Sequence, residues 1–144
     1  MPARVQSAPF DLAAELDGFG EGAGAIVTFT GVVRDDTGAM AALEIEHYPG
    51  MTERALSDYG TQAAARFGLT DWRILHRHGR LAVGEPIMMV ATAARHRHAA
   101  FQAADYLMDW LKSRAPFWKR EIGRDGAARW VEAKASDEDA LSRW

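Results

Sequence analysis

Apolar and polar residues alternate along several short stretches of the chain, and this period of two predicts β-strands. One stretch is enriched in β-branched and aromatic side chains, and another is almost entirely apolar, which is typical of a strand at the centre of a sheet. The predicted strands cover residues 25–33, 43–48, 72–78, 87–93 and 130–133.

Apolar residues that recur every three or four positions predict two long helices. Leu56, Tyr59 and Ala63 share a face of the first, and Pro116 ends the second because proline disfavours helical geometry in the residue before it. The long helices are expected from an N-cap at Thr52 to about Phe67 and from about Ala99 to Arg114. Short helices are expected after an N-cap at Asp11 and at a capping box formed by Ser136 and Asp139.

The order of these elements is α-β-β-α-β-β-α-β, followed by the short C-terminal helix. Strands outnumber helices and do not alternate strictly with them, which favours an α+β fold with a mainly antiparallel sheet over a doubly wound parallel sheet. A length of 144 residues fits a single domain spanning residues 1–144.

The chain contains no cysteine, which excludes disulfides, thiolate metal sites and any sulfur chemistry on a thiol of its own. If the protein handles sulfur, another molecule must carry that sulfur. The net charge is −3, yet residues 95–124 are rich in Arg, Lys and His, which suggests a small anionic ligand more than a nucleic acid. No signal peptide and no membrane-spanning run are visible, so we expect a cytoplasmic protein that does not bind a membrane.

A basic and aromatic segment follows the second long helix. Lys112 and Lys119 flank Pro116, Phe117 and Trp118, and lysines beside aromatic rings can be partly desolvated. Desolvation lowers the pKa of a lysine and makes its amine a usable base or nucleophile. The alternative interpretation is a basic helix end that complements the helix dipole, with the aromatic residues in the core.

A second candidate site lies between an apolar strand and a helix, at residues 95–98. Backbone N–H groups at a helix N-terminus, together with Arg and His side chains, suit a phosphate; a solvated strand end is the alternative. The pairs His76/His78 and His96/His98 could each chelate a metal, but an arginine separates the members of each pair and no nearby cysteine or carboxylate completes a site. We therefore expect no metal.

Three stretches of the sequence stand out: Phe29 to Arg34, Leu43 to Met51, and Leu111 to Glu121, the last with a highly specific Arg-Ala-Pro-Phe-Trp-Lys run. Together they resemble the large, catalytic subunit of molybdopterin synthase. The resemblance implies an α/β hammerhead fold, a central homodimer and a small ubiquitin-like partner whose C-terminal Gly-Gly thiocarboxylate supplies sulfur. The implied substrate is cyclic pyranopterin monophosphate, which two sulfur transfers convert into the dithiolene of molybdopterin. No cofactor is implied.

The resemblance also assigns roles to individual residues of this chain. Where the family often has an arginine that reaches the neighbouring protomer's pocket, this sequence has Lys134, which keeps the charge but loses the bidentate fork. The implied catalytic residues are Lys112 and Lys119; the implied substrate-binding residues are Arg34, His96, Arg97 and Lys134; and the implied pocket walls are Phe29, Met108 and Phe117.

Two alternatives to a sulfurtransferase stay open at this point. The segment from Lys112 to Arg120 could form a basic-aromatic RNA-binding module, although the net negative charge argues against one. The chain could also be a non-catalytic scaffold that only binds a ubiquitin-like partner. Sulfur transfer from a thiocarboxylated partner would exclude the scaffold.

Overall fold

A computed structural model describes all residues from Met1 to Trp144. The first of its two sheets has the strand order β1-β4-β6-β2, in which only the β1–β4 pair is parallel. The predicted apolar strand, β6, lies inside this sheet and is almost wholly buried. The strands of the first sheet are β1 (Ala3–Gln6), β2 (Ala25–Val32), β4 (Asp71–Arg77) and β6 (Pro86–Ala94).

The second sheet is antiparallel throughout, with the strand order β5-β3-β7-β8. Its register places Phe117 opposite His47 and Lys119 opposite Ile45. Partners in an antiparallel pair project to the same face, so these four side chains share the inner face of the sheet. The strands of the second sheet are β3 (Met40–His47), β5 (Gly79–Ala82), β7 (Phe117–Gly123) and β8 (Ala128–Trp130).

Helices cover both faces of the first sheet. Leu56 of α2 and Leu107 of α3 are fully buried against Ile74 and Val90, while Leu12 of α1 packs against a smaller cluster on the opposite face. None of the helices is long and apolar enough to cross a membrane. The helices are α1 (Leu12–Glu15), α2 (Met51–Phe67), α3 (Arg97–Ser113) and α4 (Ala135–Leu141).

The two sheets are joined through a common apolar interior. Val33, Ile45 and Leu81 form a buried cluster at the second sheet. Ile87 and Phe117 pack against this cluster and also against the larger cluster beneath α2 and α3. Phe117 is therefore tied to both sheets, directly beside the turn that follows α3.

The mixed α and β content and the mainly antiparallel pairing confirm the predicted fold class, while the hammerhead detail stays a prediction. The sequence did not reveal that the strands divide between two sheets, and three strands were not predicted. Two of these, β1 and β5, have only four residues each. The third, β7, carries a polar Lys-Arg-Glu run but becomes a strand because it pairs with β3 on one side and β8 on the other.

Several predicted element boundaries were wrong. Thr52 is not an N-cap: α2 begins at Met51 after Gly50, and the buried Thr52 hydroxyl accepts from the Tyr48 N–H (3.0 Å) and donates to the Pro116 carbonyl (3.1 Å). No capping box forms at Ser136, because α4 already begins at Ala135. The last strand is Ala128–Trp130 instead of 130–133, since the Gly123 N–H donates to the Ala127 carbonyl (2.8 Å) and closes a hairpin earlier.

Candidate active site

Lys119 is a largely buried cation on the inner face of β7. Burial, together with the nearby positive charge of Lys112, lowers the pKa of Lys119 to about 8, although the Asp137 carboxylate partly opposes both effects. At pH 7 about a tenth of this lysine is free amine, against fewer than about one in a thousand for a lysine at its ordinary pKa. The side chain can therefore supply either a base or an ammonium group near neutral pH.

Lys112 lies in the last turn of α3 and its side chain is exposed. A tight turn connects it to Lys119: α3 ends at Ser113, and the Phe117 N–H donates to the Ala115 carbonyl at 2.8 Å before β7 begins. The structure thus brings the two predicted catalytic lysines together. One is exposed to incoming molecules and the other is held inside.

His76 lies behind these lysines and was not predicted as a site residue. It is buried on β4, its ring stacks on Phe117 at 3.8 Å with an interplanar angle of 20°, and its Nδ1 lies 2.7 Å from the Arg77 carbonyl oxygen. Burial lowers the pKa of His76 to about 3, and the charge of Lys119 adds to this effect. The ring is therefore uncharged near neutral pH. The feature of the sequence that could have indicated a buried His76 is the alternation of residues 72–78, because it places His76 on the same face as Ile74.

His76 and His78, one of the two histidine pairs in the sequence, do not converge on one metal site. His76 stacks on Phe117, whereas His78 lies at the end of β4 against His47, with ring centroids 4.2 Å apart. Burial lowers the pKa of His78. His47 Nε2 is 3.9 Å from a carboxylate oxygen of Glu53. No group of three or more His, Cys, Asp or Glu side chains is arranged to hold a metal.

Arg34 lies at the same end of the molecule as the two lysines. It follows Val33, whose buried side chain belongs to the cluster against which Phe117 packs. The Arg34 guanidinium is mostly exposed and its Nε lies 2.8 Å from an Asp36 carboxylate oxygen. This surface ion pair is weak enough for an anionic ligand to replace Asp36.

His96 and Arg97 lie at the opposite end of the molecule. His96 precedes α3 in extended conformation without a side-chain cap, and both side chains are exposed. The 15 residues from Arg97 to Lys112 rise 1.5 Å each, which separates these two residues by roughly 22 Å along the helix axis. Within one chain, therefore, the predicted anion-binding pair and the predicted lysines cannot contact the same phosphate group.

The remaining predicted site residues are spread over three elements. Lys134 is exposed at the N-cap of α4, whose Glu138 pairs with Arg114 after α3, so α4 lies beside α3 of its own chain. Met108 packs against the main core cluster. Phe29 is 42% exposed on β2, at the edge of the first sheet, and does not line the lysine site.

Two shallow depressions, of about 430 and 380 Å³, border β3. Neither is lined by a predicted site residue, so the isolated chain does not enclose its predicted site in either of them. The first is lined by Glu44, Ile45, Glu46, His47, His78, Gly79 and Arg80, and the second by Glu46, His47, Tyr48, Trp118 and Trp130.

The cations from Lys112 to Arg120 do not form a free basic stripe. Arg114 pairs with Glu138, Arg120 pairs with Glu44, and Lys119 is largely buried. A nucleic-acid surface needs cations that are free to contact successive phosphates. The geometry therefore disfavours the RNA-binding alternative.

Comparison with known proteins gives concordant matches. The family model described as "MoaE protein" matches residues 5–114. A relative from Cereibacter sphaeroides named molybdopterin synthase catalytic subunit is 60% identical over 143 residues, covering 97% of this chain and 97% of the relative. A solved molybdopterin biosynthesis MoaE protein from Burkholderia ambifaria has a TM-score of 0.84 and 46% identity, covering 99% of this chain and 96% of that one.

A crystal structure of molybdopterin synthase from Staphylococcus aureus is also similar, with a TM-score of 0.82 and 30% identity over 89% of this chain and 95% of that one. The family model covers most of the chain, and the relatives match it over nearly their whole length. The chain therefore belongs to the MoaE protein family, as a molybdopterin synthase catalytic subunit.

Proposed function

We propose that this protein transfers sulfur from the C-terminal thiocarboxylate of a small ubiquitin-like partner to cyclic pyranopterin monophosphate, forming the dithiolene of molybdopterin. The observation that carries this proposal is the largely buried Lys119 beside Lys112. Because the chain has no cysteine, it cannot carry the sulfur itself. The thiocarboxylate of a flexible Gly-Gly tail is anionic, and these two cations provide the positive potential that attracts it.

The lysines act at the two charged points of the reaction. The thiocarboxylate sulfur attacks a pterin carbon and displaces the oxygen bound to it, which leaves as water or as an oxygen of the opened cyclic phosphate. Water then cleaves the bond between that sulfur and the carrier's carbonyl carbon, so the sulfur stays on the pterin and a carboxylate is left on the carrier. An ammonium group stabilises the oxyanion formed at the carbonyl, and a free amine accepts the proton of the attacking water. Lys119 suits the role of the amine that accepts a proton, because its pKa is about 8. The exposed Lys112 suits the role of the ammonium group that stabilises the oxyanion.

The substrate phosphate is bound by His96 and Arg97, together with Arg34. In one chain His96 and Arg97 are too far from Lys112 to share a pocket with it, so a second copy of the chain supplies them. This arrangement supports a homodimer that binds two small partners, a heterotetramer. Lys134 lies one turn before Asp137, which is close enough to Lys119 of the same chain to affect its pKa, so it adds a cation at the lysine end of the site and not beside His96 and Arg97.

The whole chain, residues 1–144, acts as one catalytic domain, because Ile87 and Phe117 join the cores of both sheets. We expect the reaction to take place in the cytoplasm without a metal or other cofactor. Small substrates and a soluble carrier suit that location.

The experiment is incubation of the protein with thiocarboxylated partner and cyclic pterin, followed by detection of the dithiolene product. We expect Lys112→Ala to lose nearly all product formation while it keeps the fold and partner binding, because it removes a group that acts in the transition state. Arg124→Ala is a matched control, since it removes another exposed cation from the β7–β8 turn. Near-normal turnover by Lys112→Ala, or turnover with a partner lacking Gly-Gly, would contradict the proposal.

A further inference from the structure

His76 contacts the active-site strand without taking part in the proposed chemistry. Its ring lies flat on Phe117, with centroids 3.8 Å apart. Because the Arg77 carbonyl oxygen can only accept, the 2.7 Å contact requires that Nδ1 of His76 carries the proton. In the uncharged ring Nε2 is then left without a hydrogen, so the orientation and the tautomer of the ring are both fixed.

Because the His76 ring fixes the position of Phe117, it also affects the position of Lys119. The two residues are two apart on β7 and therefore project from the same face, opposite His47 and Ile45. Phe117 is the first residue of β7 and follows the Pro116 turn, whose carbonyl is held by Thr52. The His76 ring thus packs against the first residue of β7, and the Lys119 side chain projects from the same face of that strand two residues later.

We infer that His76 is a positioning residue of the sulfur-transfer site, whose uncharged ring holds Phe117 in place and keeps water away from the inner side of Lys119. This inference rests on the proposed function, because it deepens the role of Lys119 there. A smaller side chain at position 76 would free Phe117 and leave room for water. The Lys119 ammonium would then be better solvated.

The charged groups around Lys119 come from several elements, and His76 is the one that must stay neutral. Lys112 approaches Lys119 from α3 and Asp137 approaches it from α4, while His47 of β3 and His78 lie close to His76. Burial holds the pKa of His76 at about 3, so it adds no positive charge beside Lys119 at neutral pH. An aromatic ring without a charge should therefore replace His76 better than any polar side chain.

The test compares His76→Ala with His76→Phe in the complete complex with partner. Leu75→Ala is the matched control, since Leu75 is a fully buried neighbour on β4 that packs on the opposite face of the sheet. Two measurements are made as a function of pH: product formation, and the rate at which an amine-acylating reagent modifies Lys119, read by peptide mass spectrometry. The second measurement reports the pKa of Lys119 without any need for activity.

We expect His76→Ala to slow turnover at pH 7 about tenfold or more with the pterin KM unchanged, because a misplaced group mainly affects the transition state. In this variant the acylation profile of Lys119 should move up from a pKa of about 8 towards the ordinary lysine value of about 10.4. His76→Phe keeps a ring against Phe117 but lacks the hydrogen bond to Arg77, so it should restore the profile and most of the rate, and Leu75→Ala should leave the profile unchanged.

An unchanged Lys119 profile in His76→Ala, or a profile that moves equally in Leu75→Ala, would overturn the inference. A His76→Phe variant as slow as His76→Ala would do the same, since the ring itself would then not matter. Absence of dithiolene formation by the wild-type complex would instead refute the proposed function. In that case the acylation profiles would still decide whether His76 shields Lys119.

Discussion

Replacing Lys119 by methionine should make the folded protein more stable at pH 7 while it abolishes activity. Methionine is close to lysine in length and apolar, so it keeps the packing and removes the buried charge. A pKa lowered from 10.5 to about 8 corresponds to an unfavourable free energy of roughly 3 kcal/mol for burying the ammonium. We therefore expect the free energy of unfolding to rise by up to about 3 kcal/mol in Lys119→Met.

The pH dependence of the free energy of unfolding tests independently whether the buried Lys119 charge destabilises the fold. The unfolded chain keeps Lys119 protonated up to about pH 10.5, whereas the folded protein releases this proton near pH 8. The penalty is therefore fully present below pH 8 and disappears as the pH rises towards 10.5. At pH 10 the difference between Lys119→Met and wild type should shrink below about 1 kcal/mol.

Urea unfolding followed by tryptophan fluorescence measures both values, because the chain has five tryptophans. The measurements should be made at one protein concentration, since the proposed dimer would also stabilise the fold. Arg124→Met is the control: its side chain is exposed and its charge does not act on Lys119, so the free energy of unfolding should change by less than about 0.5 kcal/mol. A Lys119→Met variant less stable than wild type at pH 7, or equally stabilised at pH 7 and pH 10, would refute the burial of this charge.

Three further predictions concern other residues of the site, and a fourth concerns metals. His76, whose folded pKa is about 3, must stay neutral in the fold, so stability should be lost as the pH falls below 6.5; His76→Phe should move the midpoint of acid unfolding, followed by circular dichroism, to lower pH. Arg97→Ala should weaken pterin binding by about 1.5–3 kcal/mol in a calorimetric titration of the complex, and unchanged affinity would exclude Arg97 from the phosphate site. Lys134→Ala should lower turnover while size-exclusion chromatography still shows the dimer; a monomer would indicate a structural role instead. Chelators and added zinc should leave the rate of the wild-type enzyme unchanged.

The elements that could be predicted from the sequence are those whose local pattern agrees with their place in the fold. The β6 run is apolar because both of its faces are covered, and α3 shows an apolar face because only one side packs. β7 could not be recognised in this way. Its outward residues Trp118 and Arg120 are large and its inward Lys119 is charged, so its strand character comes from pairing with β3 and β8.

The candidate site was only partly accessible to sequence reasoning. The proximity of Lys112 and Lys119 follows from one tight turn and could be predicted locally. The stacking of His76 on Phe117 could not, because it depends on two sheets meeting across 41 residues of chain. The separation of Arg97 from Lys112, in contrast, follows from the length of a helix that the sequence had already indicated.

The length of α3 has a genetic consequence. If each pocket combines the start of one α3 with the end of another, two variants that are each inactive at a pterin concentration too low to fill the weakened Arg97→Ala pocket can complement each other. In a mixed dimer of Arg97→Ala and Lys112→Ala, one pocket receives both mutations and the other receives neither. Random reassociation of equal amounts should therefore restore about a quarter of wild-type activity, whereas pockets built within single chains would stay inactive in every mixture.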